Sequence, residues 1–175
     1  MADTVSQASP QPVGRLVTDT TPLITLSVAC GSLDILRQLY AQVVVTSEVA
    51  AELIAGGMQR PGVAEFMQAH AWLKPLTSPR AIAPYLLNTL DRGEASVIQA
   101  ALDQDISLVA IDEVVGRRAA RLAGLSVTGS IGILLKARKL GLTGNLTDSF
   151  TRLRAHGIWL GAQVQAFALQ EEARF

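Results

Sequence analysis

Residues 107–111 read Ser-Leu-Val-Ala-Ile, a nearly continuous apolar run, and the next residue is the carboxylate Asp112. A strand with one wet face alternates apolar and polar side chains. An unbroken run belongs to a strand covered on both sides, as strands of parallel sheets are. Arg15 to Asp19 has the same design, with Leu16-Val17 leading to an acid. Val43-Val44-Val45 is β-branched and suits a buried strand, and Trp72 to Leu76 and Leu125 to Val127 supply two more short ones. Helical stretches separate them. This alternation predicts an α/β fold, a three-layer α/β/α sandwich around a central parallel sheet.

The helices are read from their ends. Pro22 suits a first turn, and that helix continues through Leu23 to Ala29 until Cys30-Gly31 stops it. Leu33 to Tyr40 places Leu33, Leu36, Leu39 and Tyr40 on one side. Ser47 is the expected cap of a helix to Ala55, ended by Gly56-Gly57. Pro61 to His70 is a further helix, Thr77 to Pro84 is loop-like, and another helix is expected to run on to Leu90. Asp91 opens a helix to about Gln104, followed by Glu113 to Ala123, Ser130 to Leu140, Asn145 to Ala155 and Gly161 to Arg174.

At 175 residues and 49% apolar content, the chain has the material for one packed domain. That domain is expected over residues 15–175, behind a flexible tail, residues 1–14, that lacks the basic start and apolar run of a signal peptide. No apolar stretch approaches the ~20 residues needed to span a bilayer. One cysteine, Cys30, allows no internal disulfide, so a reducing, cytoplasmic setting is expected and Cys30 is read as a buried hydrophobe. The 15 basic and 15 acidic residues balance, so any nucleic-acid footprint has to be local. Local basic clusters are Arg117-Arg118 with Arg121, Lys136-Arg138-Lys139, and Arg152-Arg154.

Four acids stand within apolar sequence: Asp19, Glu52, Glu94 and Asp112. Carboxylates at the ends of buried strands are costly unless paired with a cation or used in chemistry. Asp19 and Asp112 close strands of the same expected sheet, the edge where open α/β sheets bind ligands. Converging hard oxygen donors suit Mg²⁺ or Mn²⁺. Plainer roles compete with this. Asp19 and Asp112 could cap the helices that follow, Asp91-x-x-Glu94 matches a capping box, and Glu52 could be a solvated helix residue. His70 and His156 match no ligand spacing. Trp72, Trp159 and Phe150 are read as core, and Thr128-Gly129-Ser130-Ile131-Gly132 lacks the lysine of a phosphate-binding P-loop.

Five stretches in order resemble the PIN-domain family, in its bacterial and archaeal branch of nucleic-acid-binding proteins. They are Val17-Thr18-Asp19-Thr20-Thr21-Pro22-Leu23-Ile24, Val49 to Leu53, and Leu90 to Ile98. Ile111-Asp112-Glu113 with Gly116 to Ala120 follows, and Val127 to Leu135 is the last. The resemblance implies a metal-dependent ribonuclease with Asp19, Glu52, Glu94 and Asp112 as its acidic quartet. Thr21 would be a supporting hydroxyl. Two positions depart from the family pattern. Glu94 stands where an aspartate is common, with Asp91 one turn away as a rival, and Asp112-Glu113 replaces a common pair of aspartates, of which Asp112 is preferred as the ligand.

The expected activity is therefore Mg²⁺- or Mn²⁺-dependent endonucleolytic cleavage of RNA, by the toxin half of a toxin–antitoxin pair. Arg117 and Ser130 are candidates for contact with phosphate. Expected partners are RNA, an antitoxin protein and a second copy of the chain, the dimer being argued from the apolar surplus of Leu23, Ile24, Leu26, Leu33, Leu36, Leu39 and Tyr40. The alternatives are a degenerate PIN-like module that binds RNA or protein without cutting, and a phosphoryl-transfer protein on a similar sheet. The latter is weakened by the missing second aspartate in Asp19-Thr20-Thr21.

Overall fold

The structure, a computed structural model, describes residues 11–77 and 81–175. Five strands form one sheet: β1 (Arg15–Thr18), β2 (Gln42–Val45), β3 (Lys74–Pro75), β4 (Leu108–Ala110) and β5 (Ser126–Thr128), in the order β3-β2-β1-β4-β5. Every pairing is parallel, with Thr18, Ala110 and Thr128 in register. Leu16, Val17 and Thr18 are all fully buried. Successive strand residues point to opposite faces, so both faces of the sheet are covered and the three-layer α/β/α arrangement holds.

Ten helices connect the strands among the described residues: α1 (Thr20–Cys30), α2 (Asp34–Leu39), α3 (Ser47–Ala55), α4 (Val63–Ala69), α5 (Pro84–Leu87), α6 (Arg92–Asp103), α7 (Val114–Leu122), α8 (Ser130–Lys139), α9 (Leu146–Ala155) and α10 (Ala162–Glu172). α6 packs on β1, β4 and α3, while α1 packs against α8 and α9. From β1 the chain builds outward to β2 and β3, then returns to the other side of β1 as β4. The reversal falls between β1 and β4, the topological switch point at which open sheets leave a crevice.

Several sequence expectations shift in detail. α1 begins at Thr20 rather than Pro22, which still lies in its first turn. Thr46, not Ser47, caps α3, its hydroxyl accepting from the Val49 amide at 3.2 Å. The helix expected from Pro61 to His70 is confined to α4, behind a Gly62 cap whose positive φ no helical residue adopts. The helix after Pro84 is one turn long and does not reach Leu90. The expected loop from Thr77 to Pro84 falls partly on residues 78–80, and most of the expected tail on residues 1–10, outside the described residues. At the end of that tail, the Val13 amide donates to Leu39 O and Gly14 O accepts from the Ala41 amide.

Two inferences about apolar residues change. Leu23, Leu26, Leu33, Leu36, Leu39 and Tyr40 are all at most 4% exposed, and Ile24 is half-buried against them. They belong to the monomer's own core, and α1 packs against α3, α4, α8 and α9. Trp159 is 76% exposed, unlike Phe150, which is core as expected.

Candidate active site at the carboxyl edge of the sheet

The backbone places Asp19 one residue beyond β1, its amide donating to Ala110 O at 3.0 Å, so it lies beside the end of β4. The Ile111 amide, one residue past β4, donates to Thr128 O at the end of β5 at 3.2 Å. Asp19 and Asp112 therefore share one edge of the sheet, flanking the switch point, as the strand-end argument expected. Asp19 occupies the cap position of α1 but makes no side-chain capping bond to that helix.

Gly93, buried in the first turn of α6, shows how Asp19, Glu52 and Asp91 converge. A Cβ built there would lie 2.8 Å from Glu52 Oε2, 3.3 Å from Asp91 Oδ1 and 3.5 Å from Asp19 Oδ1. Three carboxylates thus surround one position that has no side chain. Asp91 caps α6, accepting from the Glu94 amide at 2.8 Å. The reciprocal half of the capping box is missing. Glu94 is 6% exposed, yet its Oε1 has no hydrogen-bond partner. A Cβ on Gly116 of α7 would overlap that oxygen, so Gly116 too keeps room beside a carboxylate.

Electrostatics follow from this crowding. Burial, with the charges of Asp91, Glu52 and Glu94, pushes the Asp19 carboxyl up to about 7, against a hydrogen bond from the Thr20 backbone that holds it down. Burial, then Asp91 and Glu113, push Glu94 upward as well. Carboxylates this close repel and retain protons unless a cation neutralises them.

Asp112 has partners of its own. Its Oδ1 accepts from the Ser130 amide at 2.8 Å, and its charge supports the Arg117 guanidinium. Arg117 Nη1 donates to Ile111 O and Thr128 O, both at 2.8 Å, tying the ends of β4 and β5 together. Ser130 is the first residue of α8, capped by Gly129, so the amide expected to greet an external anion is used by Asp112. Glu113, the cap residue of α7, is the member of the pair whose charge acts on Glu94.

The hydroxyl that sequence reasoning missed is Thr20. It is buried, and its Oγ1 donates to Glu52 Oε2 at 3.0 Å, whereas Thr21 is exposed. Glu48 stands one turn before Glu52 in α3. With Ser47, Ala51, Glu52, Asp91, Arg92 and Gly93 it lines a cavity of about 680 Å³, large enough for a small ligand.

A family model described as a PIN domain (DUF3368) matches residues 15–173. The chain belongs to the PIN-domain family. PIN domains are in general nucleases that act on nucleic acid and use divalent metal ions. No curated protein and no solved structure matches the chain. The edge of this PIN domain fits a hard divalent ion in its donor chemistry, in the orphaned Glu94 Oε1 and in the side-chain-free position at Gly93. Among the described residues, no three His, Cys, Asp or Glu side chains stand as a ready-made coordination shell. No helix of the described residues is long and apolar enough to cross a membrane.

Proposed function

We propose that this PIN domain is a Mg²⁺- or Mn²⁺-dependent endoribonuclease acting on RNA phosphodiester bonds. The observation that carries the reading is the convergence of Asp19, Glu52 and Asp91 around Gly93, next to the unpartnered carboxylate of Glu94. Asp19, Glu52 and Glu94 would hold the cation, with Asp91 beside them. Of the last pair, Asp112 is the preferred ligand, held by the Ser130 amide beside Arg117, and the charge of Glu113 acts on Glu94. A bound divalent ion supplies neutralisation of the cluster, activation of water and stabilisation of charge on phosphate oxygens.

The chain's own residues prepare that edge. Thr20 orients Glu52, and Gly93 and Gly116 leave the carboxylates room. Arg117 holds the two strand ends and fixes Asp112, which makes its role positional. Of the residues expected to meet the substrate, Thr21 is exposed at the start of α1, whereas Ser130 is buried and its amide is taken by Asp112.

A toxin role with an antitoxin partner, a homodimer and a cytoplasmic site of action complete the reading. These rest on the resemblance and on the family's nucleic-acid substrates. Incubating the purified chain with single-stranded RNA in chelator, then restoring Mg²⁺ or Mn²⁺, tests the activity, and cleavage should appear with metal alone. Full cleavage in excess chelator would overturn the metal requirement. Binding without cleavage under all metals would leave a PIN-like binding module instead. Light scattering tests the dimer, and a small reading frame beside the gene would support the antitoxin.

A further inference from the structure

Two buried hydroxyls join α3 to α6. Thr46 and Ser96 are each 2% exposed, and their hydroxyl oxygens lie 2.7 Å apart. Each is also tied to the backbone of its own helix. Thr46 Oγ1 accepts from the Val49 amide at 3.2 Å, and Ser96 Oγ donates to Gly93 O at 2.7 Å. A hydroxyl has one proton to give. That of Ser96 goes to Gly93 O, so Thr46 is the donor in the bond between the two. The result is a directed chain, from the Val49 amide through Thr46 and Ser96 to the Gly93 carbonyl.

The ends of this chain lie on the two helices that carry most of the carboxylates. Val49 stands one turn before Glu52 in α3. Gly93 is the position around which Asp19, Glu52 and Asp91 converge, and Glu94, with its unpartnered Oε1, follows it in α6. Unless neutralised, Glu52 and the acids of α6 repel across the gap between the helices. An apolar pair could fill the same space. Two buried hydroxyls are satisfied at one separation only, because a stretched bond leaves a donor without a partner in a dry interior.

We propose that Thr46 and Ser96 are positioning residues for the cation, fixing the gap between α3 and α6 and thereby selecting Mg²⁺ over Ca²⁺. The proposal rests on the metal-dependent nuclease reading and deepens it. The partners of the two hydroxyls are each other and the backbone, not a carboxylate, so they act through the helices that carry Glu52, Asp91 and Glu94. Mg²⁺ demands near-ideal octahedral geometry with oxygens at about 2.0–2.1 Å, whereas Ca²⁺ accepts flexible arrangements at about 2.3–2.6 Å. A gap pinned by hydrogen bonds favours the smaller ion, and a gap free to widen suits the larger one.

Calorimetric titration of the purified chain with Mg²⁺ and with Ca²⁺, in the absence of RNA, measures the ratio of the two affinities. Ser96→Ala breaks the link but leaves Thr46 capping α3. It should lower Mg²⁺ affinity about 10- to 100-fold, the usual range for losing a support behind metal ligands, and Ca²⁺ affinity far less. Thr46→Ser keeps every bond of the chain and should keep the parent's ratio. Thr46→Val combined with Ser96→Ala strands no donor, which favours folding even where Ser96→Ala alone does not fold, and it should lose the ratio in the same way. A loss of fold stability alone would weaken both ions alike. If the folded variants keep the parent's ratio, the hydroxyl chain is only a structural link and the proposal is refuted, while metal-dependent RNA cleavage by the parent would leave the nuclease reading standing. A ratio lost in the variants of a parent that cuts no RNA supports the positioning role and overturns the nuclease reading. A parent that takes up neither ion overturns both.

Discussion

Replacing Asp19 by Asn separates a buried charge from its shape. In the folded protein the Asp19 carboxyl is pushed from 3.8 to about 7, so the fold retains a proton that the unfolded chain has already released. The stability this contributes is fully present below the unfolded value, near 4, and is lost as pH rises through about 7. A gap of about 3 pH units at about 1.4 kcal/mol each amounts to about 4 kcal/mol carried against the fold once Asp19 is ionised. Asparagine escapes that charge but buries an amide that has to find a partner, which costs about 1–3 kcal/mol if it does not. The metal-free variant should therefore exceed the parent by about 1–3 kcal/mol near pH 8, or roughly 3–10 °C in Tm for a domain of this size. Near pH 5, where the parent keeps its proton, the advantage should vanish. Calorimetry in chelator at both pH values measures the difference. Adding Mn²⁺ should raise the parent's Tm, because a ligand bound by the native state alone adds about 2.7 kcal/mol at a hundred times its Kd. In Asp19→Asn that rise should shrink and RNA cleavage should fall by orders of magnitude. A variant no more stable than the parent near pH 8, or equally stabilised near pH 5, would refute the account of Asp19 as a buried, repelled carboxylate.

Two other substitutions probe the support around it. Thr20→Val removes the donor to Glu52 Oε2 at 3.0 Å without changing the side chain's outline; we expect a loss of about 0.5–1.5 kcal/mol in stability and a clear drop in metal-dependent cleavage, whereas Thr21→Val should leave stability unchanged in the same denaturant titration. Gly116→Ala drives a methyl into the Glu94 carboxyl and to 2.9 Å from Ile111 Cγ2, an overpacking expected to cost about 1–3 kcal/mol and to weaken the Mn²⁺-induced rise in Tm; a fully active variant with an unchanged rise would show that Glu94 takes no part.

The local alphabet of this fold was open to reading one residue at a time. Unbroken apolar runs such as Ser107–Ile111 mark strands buried on both faces, and together with the β-branched and shorter strand stretches and the intervening helices they point to a parallel sheet. The acids at the ends of β1 and β4 were legible for the same reason, since a parallel sheet lines up the carboxyl ends of its strands. The match of residues 15–173 to the PIN family agrees with the resemblance carried by those stretches. Side-chain choices across distance were not legible. Thr20 and Thr21 are adjacent and chemically identical, and what selects Thr20 is the turn from β1 into α1, which aims it at Glu52, 32 residues away. Asp112 and Glu113 are divided by the start of α8, whose Ser130 amide captures one of them. The apolar surplus of α1 and α2 read as a dimer face because amphipathic spacing reports that a face is buried but not by what. Here α8 and α9, more than a hundred residues later in the chain, cover α1. Periodicity is a property of neighbours along the chain, whereas partners are set by the three-dimensional packing that brings distant segments together.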